Sequence, residues 1–217
     1  MESVNADLTK LQTPFTLIVS GPSSCGKTEL IFKILDNVDD VLTPRVDEII
    51  YCYGQWQPSF ARFQKKVRFN QGLLSREELL TDPRDPKKKT LLIIDDLIDS
   101  ENLPLIKDLF VKGSHHRNIS VIFVTQNLYL PDNDYRTASR NAHYMVLFKN
   151  PRDMGQVMTL SRQIYPSNPS FLTKVYTKET AEPHSYIVVD FKQSTPDRLR
   201  IRDSITSPEG TAVFVPK

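Results

Sequence analysis

Short, nearly continuous apolar runs recur along the chain, separated by longer stretches in which apolar residues fall three or four apart or thin out. FTLIVS (15–20), EIIYCY (48–53), TLLIIDD (90–96), ISVIFVT (119–125), HYMVLF (143–148) and SYIVVDF (185–191) each read as a strand. They do not alternate apolar with polar. A strand needs this pattern when helices cover both faces of its sheet, so the chain predicts an α/β fold around a largely parallel sheet. Helices are predicted over 27–37, 76–80, 103–112 and 153–161, and in the first of these Leu30, Ile31, Ile34, Leu35 and Val38 recur at helical spacing. TDPRDPKKKT (81–90) joins prolines to a run of like charge and reads as an exposed connector. Residues 192–217 read as an extension that wraps the surface or adds an edge strand to a core of about 14–191.

Composition narrows this picture only a little. A chain of 217 residues suits one α/β domain that buries its core without disulfides or structural metal. Its 28 basic and 26 acidic residues leave a net charge of +2, which says little about partners but argues against a histone-like binder working by bulk charge, so any nucleic-acid contact must be local. Two cysteines, Cys25 and Cys52, supply neither a disulfide framework nor a zinc site and fit a reducing compartment. The start of the chain is polar, and no apolar run reaches the roughly 18 residues of a membrane span, so a soluble intracellular protein with no membrane partner is expected.

The chemistry concentrates in GPSSCGKT, where Gly21 to Thr28 match G-x-x-x-x-G-K-[ST] between an expected strand and an expected helix. Gly21 and Gly26 allow the backbone angles and close approach by which N–H groups from Ser23, Ser24, Cys25, Gly26, Lys27 and Thr28 converge on phosphate oxygens. The helix start adds the positive end of its dipole. Pro22 and Glu29 complete the nucleotide-binding stretch, and Cys25 fills a variable position rather than serving redox chemistry. Lys27 is placed to reach the β and γ phosphates of ATP, and the Thr28 hydroxyl to ligate magnesium (Mg2+). In TLLIIDD a buried strand carries Asp95 to the metal, while Asp96 faces the attacking water. Gln126, just past ISVIFVT, stands where an amide orients water or senses the γ-phosphate.

These motifs, with KGSHHRNISVIFVTQN and RTASRNAHYMVLFKNPRD, resemble the FtsK/HerA superfamily of P-loop ATPases over residues 14–165. Within it they look most like the genome-packaging ATPases of poxvirus-like and polinton-like viruses and elements. The resemblance implies a P-loop NTPase fold of the RecA and FtsK/HerA kind and a homo-oligomeric ring, pentamer or hexamer. It implies a motor that drives double-stranded DNA into a preformed capsid in the host cytoplasm or nucleus, with a capsid or portal-vertex protein as a further partner. Gly21 to Thr28 then match the phosphate loop, Asp95 the metal aspartate and Gln126 the glutamine after the fourth core strand. Asp96 departs from the family's usual glutamate, which bears on hydrolysis rate rather than on nucleotide binding. A neighbouring subunit in such rings donates an arginine to the γ-phosphate, and Arg117, Arg136 and Arg140 are the candidates, expected to flank the active edge. His115 and His116 read as loop residues, and Trp56 as a packing residue after the second strand. A small nucleotide or nucleoside kinase is the competing enzyme; Gln126 and the poor match of SRQIYPSNPS to an arginine-rich lid count against it. A nucleotide-dependent capsid-binding scaffold is the third reading, and the Asp95 and Asp96 pair counts against that.

Overall fold

The computed structural model describes residues 2–4, 8–81, 87–113, 117–205 and 210–216. Most of the charged connector after Thr81, together with His115 and His116, lies outside them. Strands are β1 (Glu2–Val4), β2 (Leu11–Gln12), β3 (Thr16–Ser20), β4 (Leu42–Thr43), β5 (Glu48–Tyr53), β6 (Arg68–Gln71), β7 (Thr90–Asp95), β8 (Ile119–Thr125), β9 (Tyr144–Phe148), β10 (Tyr186–Asp190), β11 (Ile201–Arg202) and β12 (Thr211–Phe214). Helices are α1 (Lys27–Asp36), α2 (Val38–Val41), α3 (Leu103–Asp108), α4 (Asn133–Arg140), α5 (Met154–Ile164) and α6 (Phe171–Glu179).

Ten of the strands form one sheet in the order β1-β12-β11-β10-β9-β3-β8-β7-β5-β6, and β2 pairs β4 separately. From β9 to β6 every pairing is parallel. Every residue of β3, β8 and β9 is buried, which is why their runs do not alternate. The two sheet faces build separate cores. Leu17 and Val19 of β3 join Leu30, Ile31, Ile34 and Leu35 of α1 on one side. Ile18 joins the other core, with Leu103 and Ile106 of α3, Tyr135 of α4, Leu160 of α5 and Leu172 of α6.

The expected mostly parallel sheet is present, with SYIVVDF as β10 running antiparallel to β9, Tyr186 opposite Phe148. Several other expectations are corrected. The extension does add strands, yet β11 and β12 lie inside the sheet and β1 takes its edge. The helix expected over 103–112 divides into α3 and a wider turn over Leu109–Gly113, and that over 76–80 is one wide turn at Glu77–Thr81. Three helices had no expectation at all, the single-turn α2 among them. In α4, NDYRTASR buries only Tyr135, Ala138 and Ser139, too thin a stripe to register as a period, and the Asp132 side chain caps it by accepting from Tyr135 N. In α6 the buried Leu172, Val175 and Tyr176 have helical spacing over only nine residues.

A buried ion pair ties the ends of the chain together. Arg202 Nη2 lies 3.2 Å from Asp190 Oδ2 with both side chains no more than 3% exposed, and Arg202 Nη1 donates to the Thr9 carbonyl at 2.9 Å. No helix among the described residues is long and apolar enough to cross a membrane.

Candidate nucleotide site

Parallel pairing brings distant residues to one edge of the sheet. Ser20, the last residue of β3, is in register with Thr125, the last of β8, and Val124 beside it pairs Asp95, the last of β7. The glycine-rich loop leaves β3 at this edge, and Gly21 N donates to the Thr125 carbonyl at 3.3 Å. A Cβ on Gly21 would stand 2.6 Å from both Cys25 Sγ and Phe148 Cβ, so glycine is required there by space alone. Gly26 takes φ +106°, a left-handed conformation that delivers the chain into α1 at Lys27. As the first residues of a helix, Lys27 and Thr28 have N–H groups with no partner one turn back, which makes the loop an anion cradle. The Lys27 ammonium reaches back across this cradle to the Gly21 and Pro22 carbonyls at 2.6 and 2.9 Å.

Two carboxylates meet the loop from the far side of β8. Tyr51 on β5 donates its hydroxyl to Asp95 Oδ2 at 2.6 Å. Burial raises the Asp95 carboxyl above its usual range; the Tyr51 hydrogen bond opposes this, the Asp96 charge adds to it, and Lys27 lowers it. Burial and the Asp95 charge push the Tyr51 phenol well above its ordinary value, so it remains a donor. Asp96 is exposed and takes φ +54°, a left-handed conformation just past the end of β7. Gln126 Nε2 approaches both Asp96 oxygens at 3.3 and 3.4 Å, and Ser23 Oγ donates to Gln126 Oε1 at 3.4 Å. One amide therefore links the glycine-rich loop to the second carboxylate through long, weak hydrogen bonds. The oxygen donors of Thr28 and Asp95 are chemically suited to magnesium, a hard cation.

The arginines are placed differently from the expectation that all three flank this edge. Arg117 precedes β8, whose seven residues carry the chain about 20 Å before Thr125. Arg140 ends α4 beside Asn141, whose carbonyl accepts from Thr16 Oγ1 at the start of β3, so it too lies at the opposite edge. Exposed Arg136 stands one turn earlier, and with Arg140 it lines a cavity of about 660 Å³ whose wall includes Tyr129, Met145 and Ile164. Trp56 is 40% exposed and packs edge-on against Phe60, Phe69 and Tyr53, consistent with a packing residue. Tyr51 escaped the sequence reading because its partner Asp95 is set by strand order alone. The role of Phe148 in closing over Gly21 left no sequence signal either.

No protein-family model matches the chain, and neither does the sequence of any curated protein. Solved structures do match it. The genome packaging NTPase B204 from Sulfolobus turreted icosahedral virus 2, in complex with sulfate, is 13% identical, with a TM-score of 0.51 over 94% of this chain and 97% of that one. The cytoplasmic domain of the Type VII secretion ATPase EccC of Thermomonospora curvata is 12% identical, with a TM-score of 0.52 over 82% of this chain and 24% of that one. At such identities the likeness speaks to fold: the chain has the P-loop NTPase fold of these two proteins, in keeping with the resemblance of its motifs to the FtsK/HerA superfamily.

Proposed function

We propose that this protein is an ATP-hydrolysing motor that translocates double-stranded DNA, packaging a viral genome into a capsid as a homo-oligomeric ring. The observation that carries the reading is the register of Ser20, Thr125 and Asp95, which sets the phosphate loop, Gln126 and both aspartates at one sheet edge. B204, with which the fold is shared over nearly its whole length, is described as a genome packaging NTPase.

In this reading the loop amides and Lys27 bind the phosphates, the lysine exchanging its carbonyl partners for phosphate oxygens. Thr28 and Asp95 would hold magnesium, which would supply neutralisation of phosphate charge. Asp96 accepts the proton of the attacking water, and Gln126 holds that water and the carboxylate in a common orientation. In this reading a neighbouring subunit supplies the positive charge at the γ-phosphate, and the placement of Arg117 and Arg140 at the opposite edge from their own loop supports donation in trans, since a head-to-tail ring brings a different surface of the neighbour to this edge.

Phosphate release from ATP, measured with and without double-stranded DNA on size-resolved oligomers, tests the proposal. Release stimulated by DNA, confined to assemblies, weakened by salt and abolished by Lys27→Ala, is expected. Phosphate appearing on a nucleoside or nucleotide acceptor would return the kinase reading. Nucleotide-dependent capsid binding without turnover would return the scaffold.

A further inference from the structure

We infer that the groove between α5 and α6 is a docking surface for an acidic amphipathic helix of another protein. The inference stands apart from the nucleotide reading, because it concerns a face that the phosphate loop and its carboxylates do not use.

The two helices form a braced hairpin. Ser161 Oγ donates to the Pro169 carbonyl at 2.6 Å across the connection, and Tyr176 Oη donates to the Phe148 carbonyl at 2.8 Å, which fixes α6 to the end of β9. Val157 and Leu160 of α5 and Leu172, Val175 and Tyr176 of α6 are buried in the core. Outside them the hairpin leaves a groove of about 500 Å³, lined by Met158 from α5, Thr173 and Thr177 from α6, and Pro169 from the connection. A groove already formed and held in this way costs a partner little ordering.

Its floor is apolar and its rim is positive. Met158 is 42% exposed, one of four large apolar side chains so placed among the described residues. The Thr177 hydroxyl donates to the Thr173 carbonyl at 2.9 Å, and Thr173 Oγ1 is itself buried, so these threonines offer a partner little polar surface. Arg162 stands one turn after Met158 on α5, and Lys174 and Lys178 stand one turn apart on α6. All three line the groove, and no acidic side chain among the described residues does. Lys178 is paired with Glu179 at 3.0 Å, but Arg162 and Lys174 have no acidic partner among the described residues. In a chain whose charges nearly balance this is a local excess, since over residues 154–179 Glu179 is the one acid against these three bases.

Charge and shape together define the occupant. An apolar trough between cations is filled by a helix that lays apolar side chains at i, i+3, i+4 and i+7 into it and carries carboxylates on both flanks. The nine residues of α6 extend about 14 Å, so about two to three turns of a partner helix cover the groove. Methionine suits such a floor because its flexible side chain adapts to the residue it meets. Double-stranded DNA is the poorer fit, since its backbone presents phosphates and sugars and has no apolar ridge to place on Met158.

A display library of helical peptides randomised at their surface positions, selected on the full chain, tests the inference. Retained peptides should carry Leu, Met or Phe at helical spacing, flanked by Asp or Glu. By fluorescence anisotropy they should bind the Arg162→Glu, Lys174→Glu double variant, and separately Met158→Asp, about tenfold more weakly than wild type. Replacing the peptide carboxylates by lysine should restore binding to the double variant and abolish it on wild type. Met158, Arg162 and Lys174 are exposed, so Tm should stay unchanged in these variants. Retention of no peptide, retention of basic peptides, or equal binding to wild type and variants overturns the docking surface and leaves the nucleotide reading untouched. A shift in the oligomer size of the double variant without peptide would assign the groove to a second copy of this chain. Loss of duplex DNA binding in that variant would assign it to nucleic acid, and either result overturns the inference.

Discussion

Replacing Gly21 by alanine tests the loop where its geometry is tightest. The added methyl would lie 2.6 Å from Cys25 Sγ and 2.6 Å from Phe148 Cβ, whereas ordinary contacts begin at 3.4 Å. The two clashes differ in kind. Cys25 can rotate its sulfur away, but Phe148 Cβ is fixed to the backbone of β9, which is paired to β10 and buried between layers. Relief therefore requires the loop itself to move, at about 1–3 kcal/mol for overpacking. For a chain of this size, each kcal/mol lowers Tm by about 2–4 °C, so a fall of about 2–12 °C is expected by calorimetry. Gly21 also donates to Thr125 and holds Lys27 through its carbonyl, so moving it displaces the cradle and should weaken ATP binding by about tenfold or more. The control is specific: Cys25→Ala should recover less than half of the loss, and Phe148→Ala, which keeps the offending Cβ, should recover none. A Gly21→Ala protein with unchanged Tm and unchanged ATP affinity would refute the reasoning.

Tyr51→Phe removes the hydrogen bond that opposes the raised Asp95 carboxyl, so magnesium-dependent nucleotide binding should weaken about tenfold, most at low pH where the carboxyl is protonated, in a titration across pH. Asp190→Asn leaves Arg202 buried without its countercharge and should cost about 3–5 kcal/mol in urea unfolding, whereas Asp190→Leu with Arg202→Met should recover most of it. Burial raises both thiols, Cys52 to about 11, so both should react with iodoacetamide more slowly at pH 7 than free cysteine, and Cys25, the more accessible, should react first as pH rises and block ATP binding. Mixing Arg117→Ala, Arg136→Ala or Arg140→Ala separately with Lys27→Ala should restore phosphate release for the arginine that acts in trans, and no recovery in any mixture would remove all three.

What the sequence disclosed divides along physical lines. The six buried runs were legible because full burial removes alternation, leaving a signal that needs no knowledge of neighbours. The loop was legible because close backbone approach demands glycine at fixed spacing, and its two glycines are held by space and by φ respectively. The direction of β10 was not legible, since a buried antiparallel strand and a buried parallel one read alike. Nor was α4, whose polar surface hides three buried residues. Arg117 and Arg140 were misplaced for a related reason: closeness in sequence to a strand does not tell which end of it a residue occupies.

That one reversal of strand direction bears on the site. In the parallel half of the sheet every strand ends at the same edge, so Ser20, Asp95 and Thr125 converge from positions far apart in the chain, and each strand contributes only its last residue and the loop after it. A further parallel strand after β9 would have brought its C-terminal residue to the loop and left the turn before it on the far side. Because β10 runs the other way, it is its first residue that stands opposite the end of β9, and Tyr186 meets Phe148 beside Gly21 and Gly26. The turn carrying His184 then closes against the start of α1. The parallel strands hold the groups suited to phosphate and metal, and the antiparallel addition walls the space beside them. Asp190, at the other end of β10, is fixed by Arg202, which also grips the Thr9 carbonyl, so the strand that supplies this wall is anchored at the opposite edge of the sheet.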